Sequence, residues 1–338
     1  MAERKPPVIL VYSASKADSR FFKRAFPGYE VICQPGAIID PMIPEAKRAE
    51  VIAIHVASSM NAAQMKFFPK LKHIACRSTG FDNVDLKAAK KHSIIVTNVP
   101  SYGEHTVAEY AFLLALSLMR RLPAVIDAVA QRETTSTDLV GHELAGKTLG
   151  VIGAGKIGRR VIQIGRGFNM RVIAFDPYPD QASAIELGYE YEVLNDVLAH
   201  ADILSLHAPA TKDNLHLINA TALARMKKSA IIINTARGSL IDTDALVAAL
   251  ASKRIGGAGL DVVEGEQYLN LDDELHLITE KRAVGTQIID IERLRELPNV
   301  ILSSHNAFNS AEALQRIRET TAHNIQAVIT DSPVNKVA

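Results

Sequence analysis

Three glycines, Gly153, Gly155 and Gly158, stand at G-x-G-x-x-G spacing between an apolar run, Lys147 to Ile152, and a helical pattern. A second apolar run, Val172 to Phe175, ends at Asp176, 18 residues after Gly158. The chemistry that this order serves is the binding of a dinucleotide. Gly153 makes the tight turn, Gly155 lets the main chain approach the pyrophosphate, and Gly158 allows helix and strand to pack closely. The helix that follows turns its free N–H groups and the positive end of its dipole toward the phosphates. Asp176 is placed to hydrogen-bond the adenosine ribose 2′-OH and would repel a 2′-phosphate. The next residues, Pro177-Tyr178-Pro179-Asp180, supply no arginine to receive one, so the pattern selects NAD over NADP. Glycine triplets alone also arise in purely structural turns. The strand before, the helix after and the acid at the right distance set this one apart.

Ligands in open α/β sheets bind beyond the carboxyl ends of the strands. In this half of the chain those ends carry His207-Ala208-Pro209, Asn234-Thr235-Ala236-Arg237-Gly238, Asp261 with Glu264 and Glu266, and His305. An arginine, an acid and a histidine therefore leave neighbouring strands on the cofactor side. Singly, His305 also reads as a satisfied histidine, Arg237 as a strand-end cap, and either glutamate as a solvated loop acid. Their common edge is what marks them as a site.

The elements that must position these residues form two series. Strand-like runs at Pro7–Tyr12, Tyr29–Cys33, Val51–Val56, His73–Arg77 and Ile94–Asn98 alternate with helical patterns at Asp18–Ala25, Glu45–Ala49, Ala62–Phe68 and Leu86–His92. The apolar runs are continuous, as in strands covered on both faces of a parallel sheet. Ser101 and Glu104 have capping-box spacing ahead of a long helix, apolar almost all round from Val107 to Met119. Such a helix is expected at a domain or subunit interface, with a homodimer as the expected assembly. Arg120, Arg121 and Pro123 end its apolar part, and a polar segment runs on to Gly146. The second series has strands at Thr148–Ile152, Arg171–Asp176, Ile203–Leu206, Ala230–Asn234, Gly257–Val262 and Asn299–Ser303. Its helices fit Ile157–Gly167, Gln181–Leu187, Ala220–Met226 and Asp244–Ser252. The stretch from Val263 to Pro298 is too long for a plain connection and should carry function or further structure. A last helix, Ala311–Ile329, places Leu314, Ile317, Thr321, Ile325 and Val328 on one face, suited to packing on the first domain. The expected architecture is thus α/β with two domains. A Rossmann dinucleotide-binding domain, residues 101–309, is inserted into a flavodoxin-like parallel-sheet substrate domain, residues 1–100 and 310–338.

Composition narrows the class further. A chain of 338 residues can bury two cores, and a formal net charge of +1 gives no reason to expect a nucleic-acid partner. Cys33 and Cys76 are far apart and lack metal-ligand spacing, which fits packing in a reducing compartment and no metal site. The charged start, Met1 to Lys5, has no apolar segment behind it, and the longest apolar stretch, Tyr110 to Met119, is too short for a bilayer. A cytoplasmic protein with no membrane partner is the expectation.

Taken together, Gly153–Gly158, Asn234–Gly238, the run Gly259-Leu260-Asp261-Val262-Val263-Glu264-Gly265-Glu266, and Ser303-Ser304-His305 resemble the D-isomer-specific 2-hydroxyacid dehydrogenases. Gly80-Phe81-Asp82-Asn83-Val84-Asp85 and Asn98-Val99-Pro100 extend the resemblance over nearly the whole chain. The segment after Glu266 and the Asn306-Ala307-Phe308 ending resemble the D-lactate dehydrogenase branch. The resemblance implies that His305 is the acid/base for the keto oxygen, that Glu266 pairs with it and favours its imidazolium form, and that Arg237 holds the substrate carboxylate. Glu264 is the rival for the acid; family spacing from Asp261 favours Glu266. For the cofactor it implies Lys156 and Ile157 at the pyrophosphate, Asp176 at the ribose, and Ala208 and Pro209, with His207 at the same strand end, along the adenosine. Asn214 lies nearby, and Thr235, Ala236 and Asp261 surround the nicotinamide. Main-chain groups of Ser78, Thr79 and Gly80 would meet the substrate carboxylate, with Tyr102 and Phe308 walling the pocket. The implied reaction is hydride transfer between NADH and a small 2-keto acid, pyruvate first, with hydroxypyruvate, glyoxylate or a bulkier 2-keto acid as alternatives. The fold also serves nucleotide-sensing corepressors, so an NAD(H)-sensing interaction protein is the reading from another class.

Overall fold

The computed structural model describes residues 6–38, 43–132, 139–266 and 282–338. The chain divides into two compact units, Met1–Tyr102 with Ser310–Ala338, and Gly103–Asn309.

In unit 1, β1 (Val8–Val11), β2 (Glu30–Cys33), β3 (Ala49–Ile54), β4 (His73–Cys76) and β5 (Ile95–Thr97) form a parallel sheet in the order β2-β1-β3-β4-β5, the flavodoxin-like order. β1 and β4 are buried along their whole length, which explains their unbroken apolar character. α1 (Lys16–Ala25) begins on a capping box between Ser15 and Asp18, a device worth about 1 kcal/mol. α2 (Ala62–Met65) and α3 (Leu86–Lys91) complete the crossovers, while Pro44–Arg48 forms a 3₁₀ turn. The outer edge of β5 is covered by residues 336–338, where Val337 N donates to Val96 O, Val96 N donates to Ala338 O, and Thr97 bridges Lys336.

Unit 2 opens with α4 (Glu104–Met119), whose N-cap is Gly103 and not Ser101. α4 packs on strands and a helix of its own unit, so most of its apolar circumference is spent there and not left for a partner. The stretch after Arg121, expected to be a polar segment, holds a second helix, α5 (Leu122–Ala130), set off by a left-handed Arg121. Leu122, Ile126 and Val129 of α5 are exposed, as is Leu113 of α4.

Among the described residues the sheet of unit 2 has seven parallel strands against the six expected. These are β6 (Thr148–Ile152), β7 (Arg171–Phe175), β8 (Glu190–Tyr191), β9 (Ile203–Leu206), β10 (Ile231–Asn234), β11 (Gly257–Leu260) and β12 (Val300–Leu302), in the order β12-β11-β10-β9-β6-β7-β8. Counted from β6, this is the 3-2-1-4-5-6 Rossmann order with one strand added. β8 has two residues, too few to show a period, and α8 (Leu194–His200) behind it was not expected either. α6 (Lys156–Gly167), α7 (Gln181–Leu187), α9 (Ala220–Arg225) and α10 (Thr243–Ala251) occupy the expected places. The long stretch from Val263 to Pro298 carries α11 (Arg282–Glu296), and its residues 267–281 lie outside the described ones.

The last helix, α12 (Ala311–Ile329), returns to unit 1 and packs on α1 and β4. Ile317, Thr321 and Ile325 of its expected face are buried, together with Ala313 and Asn324. Asn324 donates to the carbonyl of Asn98 at 2.7 Å, tying the helix to the end of β5. Among the described residues no helix is long and apolar enough to cross a membrane.

Candidate active site

The order of the unit 2 sheet reverses between β6 and β9, which puts a crevice at the carboxyl end of β6. The glycine turn sits there, and its three glycines differ in what surrounds them. Gly153 has φ +92°, and a Cβ on it would lie 2.8 Å from the amide nitrogen of Ala208. A Cβ on Gly158 would lie 2.0 Å from the carbonyl oxygen of Gly153. Gly155 has nothing within 4 Å of such an atom, so the turn is closed behind and open in front. Gly155 is also the N-cap of α6 and makes no side-chain capping bond, which leaves the N–H groups of Lys156, Ile157 and Gly158 to serve an anion. Asp176 is pinned beside this turn: its carboxylate accepts from Ala154 N and from Tyr178 N, both at 2.9 Å. A carboxylate has about four acceptor sites, so a ribose hydroxyl can still be received.

The ends of β9 and β10 extend this edge. His207 stacks its Nε2 against Ser205 Oγ at 2.8 Å, and burial pulls it down to about 3, so it stands neutral. Asn214 braces its own loop, donating to Pro209 O at 2.7 Å and accepting from Thr211 N at 2.8 Å. Asn234, fully buried, accepts from Ala236 N and donates to Arg237 O, which shapes the turn that presents Thr235, Ala236 and Arg237. Of the buried side-chain atoms without a hydrogen-bond partner among the described residues, His207 Nδ1, Thr235 Oγ1 and Glu266 Oε2 lie along these strand ends, while others, such as His73 Nδ1 and Thr321 Oγ1, lie in unit 1. Buried polar atoms are normally paired, so their grouping along these strand ends fits a ligand seat, and the open Gly155 turn fits the pyrophosphate.

The chemistry-bearing trio comes from three adjacent strands. Arg237 follows β10, with its Nη1 on the carbonyl of Ala236 at 2.7 Å. Glu266 follows β11, and its Oε1 lies 2.9 Å from His305 Nδ1. His305 follows β12 in a left-handed conformation, φ 51°, and its N–H donates to Asp261 O at 2.8 Å. The carboxylate of Asp261, itself buried, accepts from Ser303 Oγ at 2.6 Å and from Asn306 N and Ala307 N, each at 2.8 Å. Asp261 thus folds the loop that carries His305. That role was invisible in the sequence, because its partners lie more than 40 residues away. Phe308 meets the His305 ring edge-on at 6.5 Å between centroids. Both members of the His305–Glu266 pair are partly exposed, at 26% and 32%. With Nδ1 engaged by Glu266, Nε2 is the nitrogen presented for proton exchange.

Glu264 does not compete for this place. Its Oε1 lies 2.8 Å from His216 Nε2, on the loop after β9.

Ser78, Thr79, Gly80 and Tyr102 belong to unit 1 and are described within that unit. Ser78 Oγ donates to Gly80 O at 2.6 Å, and Thr79 Oγ1 donates to Val99 O at 2.9 Å. Asn98 Nδ2 holds Thr79 O at 2.8 Å. Arg77, just ahead of them and buried, grips the carbonyls of Tyr12 and Ser13 and pairs with Asp18 at 3.0 Å. Burial would raise the Asp18 carboxyl, but Arg77, the Ser15 amide and Arg318 outweigh it and hold the group at about 2. The carbonyl of Tyr102 accepts from Arg316 Nε at 2.7 Å.

A dinucleotide-type α/β sheet with an arginine, an acid and a histidine on adjacent strand ends defines a nicotinamide-dependent oxidoreductase site. Residues 112–307 match the family of the NAD binding domain of D-isomer specific 2-hydroxyacid dehydrogenases. The D-lactate dehydrogenase of Escherichia coli (strain K12) is 36% identical over 321 residues, covering 94% of this chain and 95% of that protein. An aromatic 2-oxoacid reductase of Clostridium sporogenes is 39% identical over 257 residues, 76% of this chain and 75% of the relative. The crystal structure of D-lactate dehydrogenase from Aquifex aeolicus, complexed with NAD and lactic acid, superposes with a TM-score of 0.87 at 34% identity, covering 96% of each chain. The chain belongs to the D-isomer-specific 2-hydroxyacid dehydrogenase family and is an NAD-dependent oxidoreductase.

Proposed function

We propose that this chain reduces pyruvate to D-lactate, with unit 2 binding NADH and Arg237, Glu266 and His305 doing the chemistry. Unit 1 is the proposed substrate domain, its share being the main chain at Ser78, Thr79 and Gly80, with Tyr102. The observation that carries the reading is the 2.9 Å pair between Glu266 and His305, on the strand ends beside the one that presents Arg237. Bound NADH supplies a hydride to the keto carbon. As the carbonyl oxygen gains the electron pair, it needs a proton and a nearby cation. His305 Nε2 gives that proton, and Glu266 on Nδ1 fixes the ring. Arg237 offers a planar fork of donors to the substrate carboxylate. Asp176 on the ribose and the Gly155 turn hold the cofactor, with Lys156 and Ile157 at the pyrophosphate and Thr235, Ala236 and Asp261 on the nicotinamide side. His207, Ala208, Pro209 and Asn214 take the adenosine side, and Phe308 walls the histidine.

The D-lactate dehydrogenase relatives support pyruvate as substrate. The 39% identity to an aromatic 2-oxoacid reductase supports a second reading, a bulkier 2-keto acid. Steady-state kcat/KM over pyruvate, hydroxypyruvate, glyoxylate and phenylpyruvate decides between them. A preference for phenylpyruvate would overturn the first. His305→Ala should abolish turnover on every one of these acids while NADH still binds, and normal turnover would refute the mechanism.

A homodimer is proposed from the exposed apolar residues Leu113, Leu122, Ile126 and Val129 on α4 and α5, and sedimentation at monomer mass would reject it. The cytoplasm is the proposed setting, which the two free thiols support.

A further inference from the structure

The loop that carries Glu266 is held at a second point, two residues earlier, by a glutamate that the reaction does not use. Glu264 is mostly buried, and it joins three segments of unit 2. Its Oε1 lies 2.8 Å from His216 Nε2, on the loop after β9. Its Oε2 accepts from Thr243 Oγ1 at 3.3 Å, in the first turn of α10. Its own segment, residues 263–266, closes with Glu266 N donating to Val263 O at 3.3 Å.

The turn that presents Arg237 is pressed onto the same segment. A Cβ on Gly238 would lie 2.2 Å from the carbonyl carbon of Val263 and 2.6 Å from Glu264 N, so the two backbones touch with no room between them. His216 reaches back to that turn as well. It sits at φ 53°, a conformation that costs a side-chain residue energy, and its N–H donates to Ser239 O at 2.9 Å. Glu264, His216, Thr243 and the Gly238 turn therefore form a closed clasp. One side of it carries Arg237 and the other carries Glu266.

We propose that Glu264 is a positioning residue for the reaction, clasping the Arg237 turn and the Glu266 loop together through His216 and Thr243 so that Glu266 meets His305 in register. The proposal rests on the reading of Arg237, Glu266 and His305 as the catalytic trio. A carboxylate is the suited group, because one oxygen serves each partner and each bond is charge-assisted. Displacing a reacting or proton-holding group by about 1 Å costs on the order of a hundredfold in rate, so a clasp this close to the pair acts on turnover.

The test compares Glu264→Ala, Glu264→Gln and Glu266→Gln in the full-length enzyme. The readouts are kcat and KM for pyruvate, the dissociation constant of NADH by fluorescence, and the pH profile of kcat/KM for reduction. Glu264→Ala should lower kcat by roughly ten- to a hundredfold, leave NADH affinity within about twofold, and move the alkaline limb to lower pH, the same direction expected of Glu266→Gln. Glu264→Gln keeps an acceptor and should recover kcat to within roughly threefold of the parent. Should Glu264→Ala fail to fold, Thr243→Val removes one of the two bonds and should shift the same limb in the same direction by less. An alkaline limb that moves in Glu266→Gln but stays put in Glu264→Ala and Thr243→Val overturns the clasp alone. A limb that stays put in Glu266→Gln removes the trio reading and the clasp with it.

Discussion

Replacing Asp261 with asparagine separates the role that its hydrogen bonds show, shaping the His305 loop, from the one proposed for it at the nicotinamide. Asparagine keeps one oxygen, which can still accept from Ser303 Oγ and Asn306 N. It turns an NH₂ group toward Ala307 N, now 2.8 Å from a carboxylate oxygen, so a hydrogen bond becomes a contact between two donors. A bond to a buried charged acceptor is worth about 1.5–3 kcal/mol. His305 is held at φ 51°, which costs a residue with a Cβ about 1–2 kcal/mol and persists only while its surroundings insist on it. Losing about 1.5–3 kcal/mol of support lets the loop leave that conformation, and His305 Nδ1 then leaves Glu266. At about 1.4 kcal/mol per factor of ten, kcat should fall roughly ten- to a hundredfold. The midpoint of thermal unfolding should fall by about 4–10 °C. Steady-state kinetics, NADH fluorescence titration and calorimetry on the same preparations make the assay. A kcat within about twofold of the parent would refute the loop argument. So would a loss of NADH affinity as large as the loss of kcat, which would place Asp261 on the cofactor first.

The glycine turn makes a paired prediction. Gly155→Ala should fold normally but weaken NADH binding, because the added methyl fills the open face. Gly158→Ala should instead unfold or destabilise the chain, since its methyl meets Gly153 O, and equal thermal midpoints for the two would contradict this. In the pH dependence of activity, reduction needs imidazolium and oxidation needs neutral imidazole, so the optimum for reduction should lie at the lower pH. Identical optima would count against His305. In the pH dependence of stability, burial pulls His73 down to about 4 and His207 to about 3. Both stay neutral in the folded chain while an unfolded histidine protonates below about 6.5. The unfolded state then binds more protons, so stability is fully present above that pH and is lost as pH falls toward 4, by up to about 1.4 kcal/mol per unit for each group. Denaturant titrations between these limits should show the slope, and His73→Gln should reduce it. A flat profile would mean that the two rings are not buried neutral.

Much of this protein was already determined by local sequence. Continuous apolar runs marked most of the parallel strands, because strands covered on both faces cannot alternate with polar residues. Gly153, Gly155, Gly158 and Asp176 announced a dinucleotide, because backbone geometry at a phosphate leaves few other residue choices. What escaped was too short to show a period, as with β8, or apolar but exposed, as with α5, while α8 went unread although α7, of the same length, did not. Ser101 had the spacing of a cap, yet the backbone entered its helix at Gly103. The apolar surface of α4 pointed to an interface, and only packing showed that most of it is spent inside unit 2. The finest distinctions belong wholly to tertiary structure. Glu264 and Glu266 stand two residues apart on one loop, and in the sequence only the family spacing from Asp261 favours one over the other. One faces His216, 48 residues away, and the other faces His305, 39 residues away. The left-handed turn at His305 is likewise set from a distance, by Asp261. Hydrogen bonds between segments so far apart in the chain are made only once the sheet has brought its strand ends together, and that is the step the sequence does not spell out.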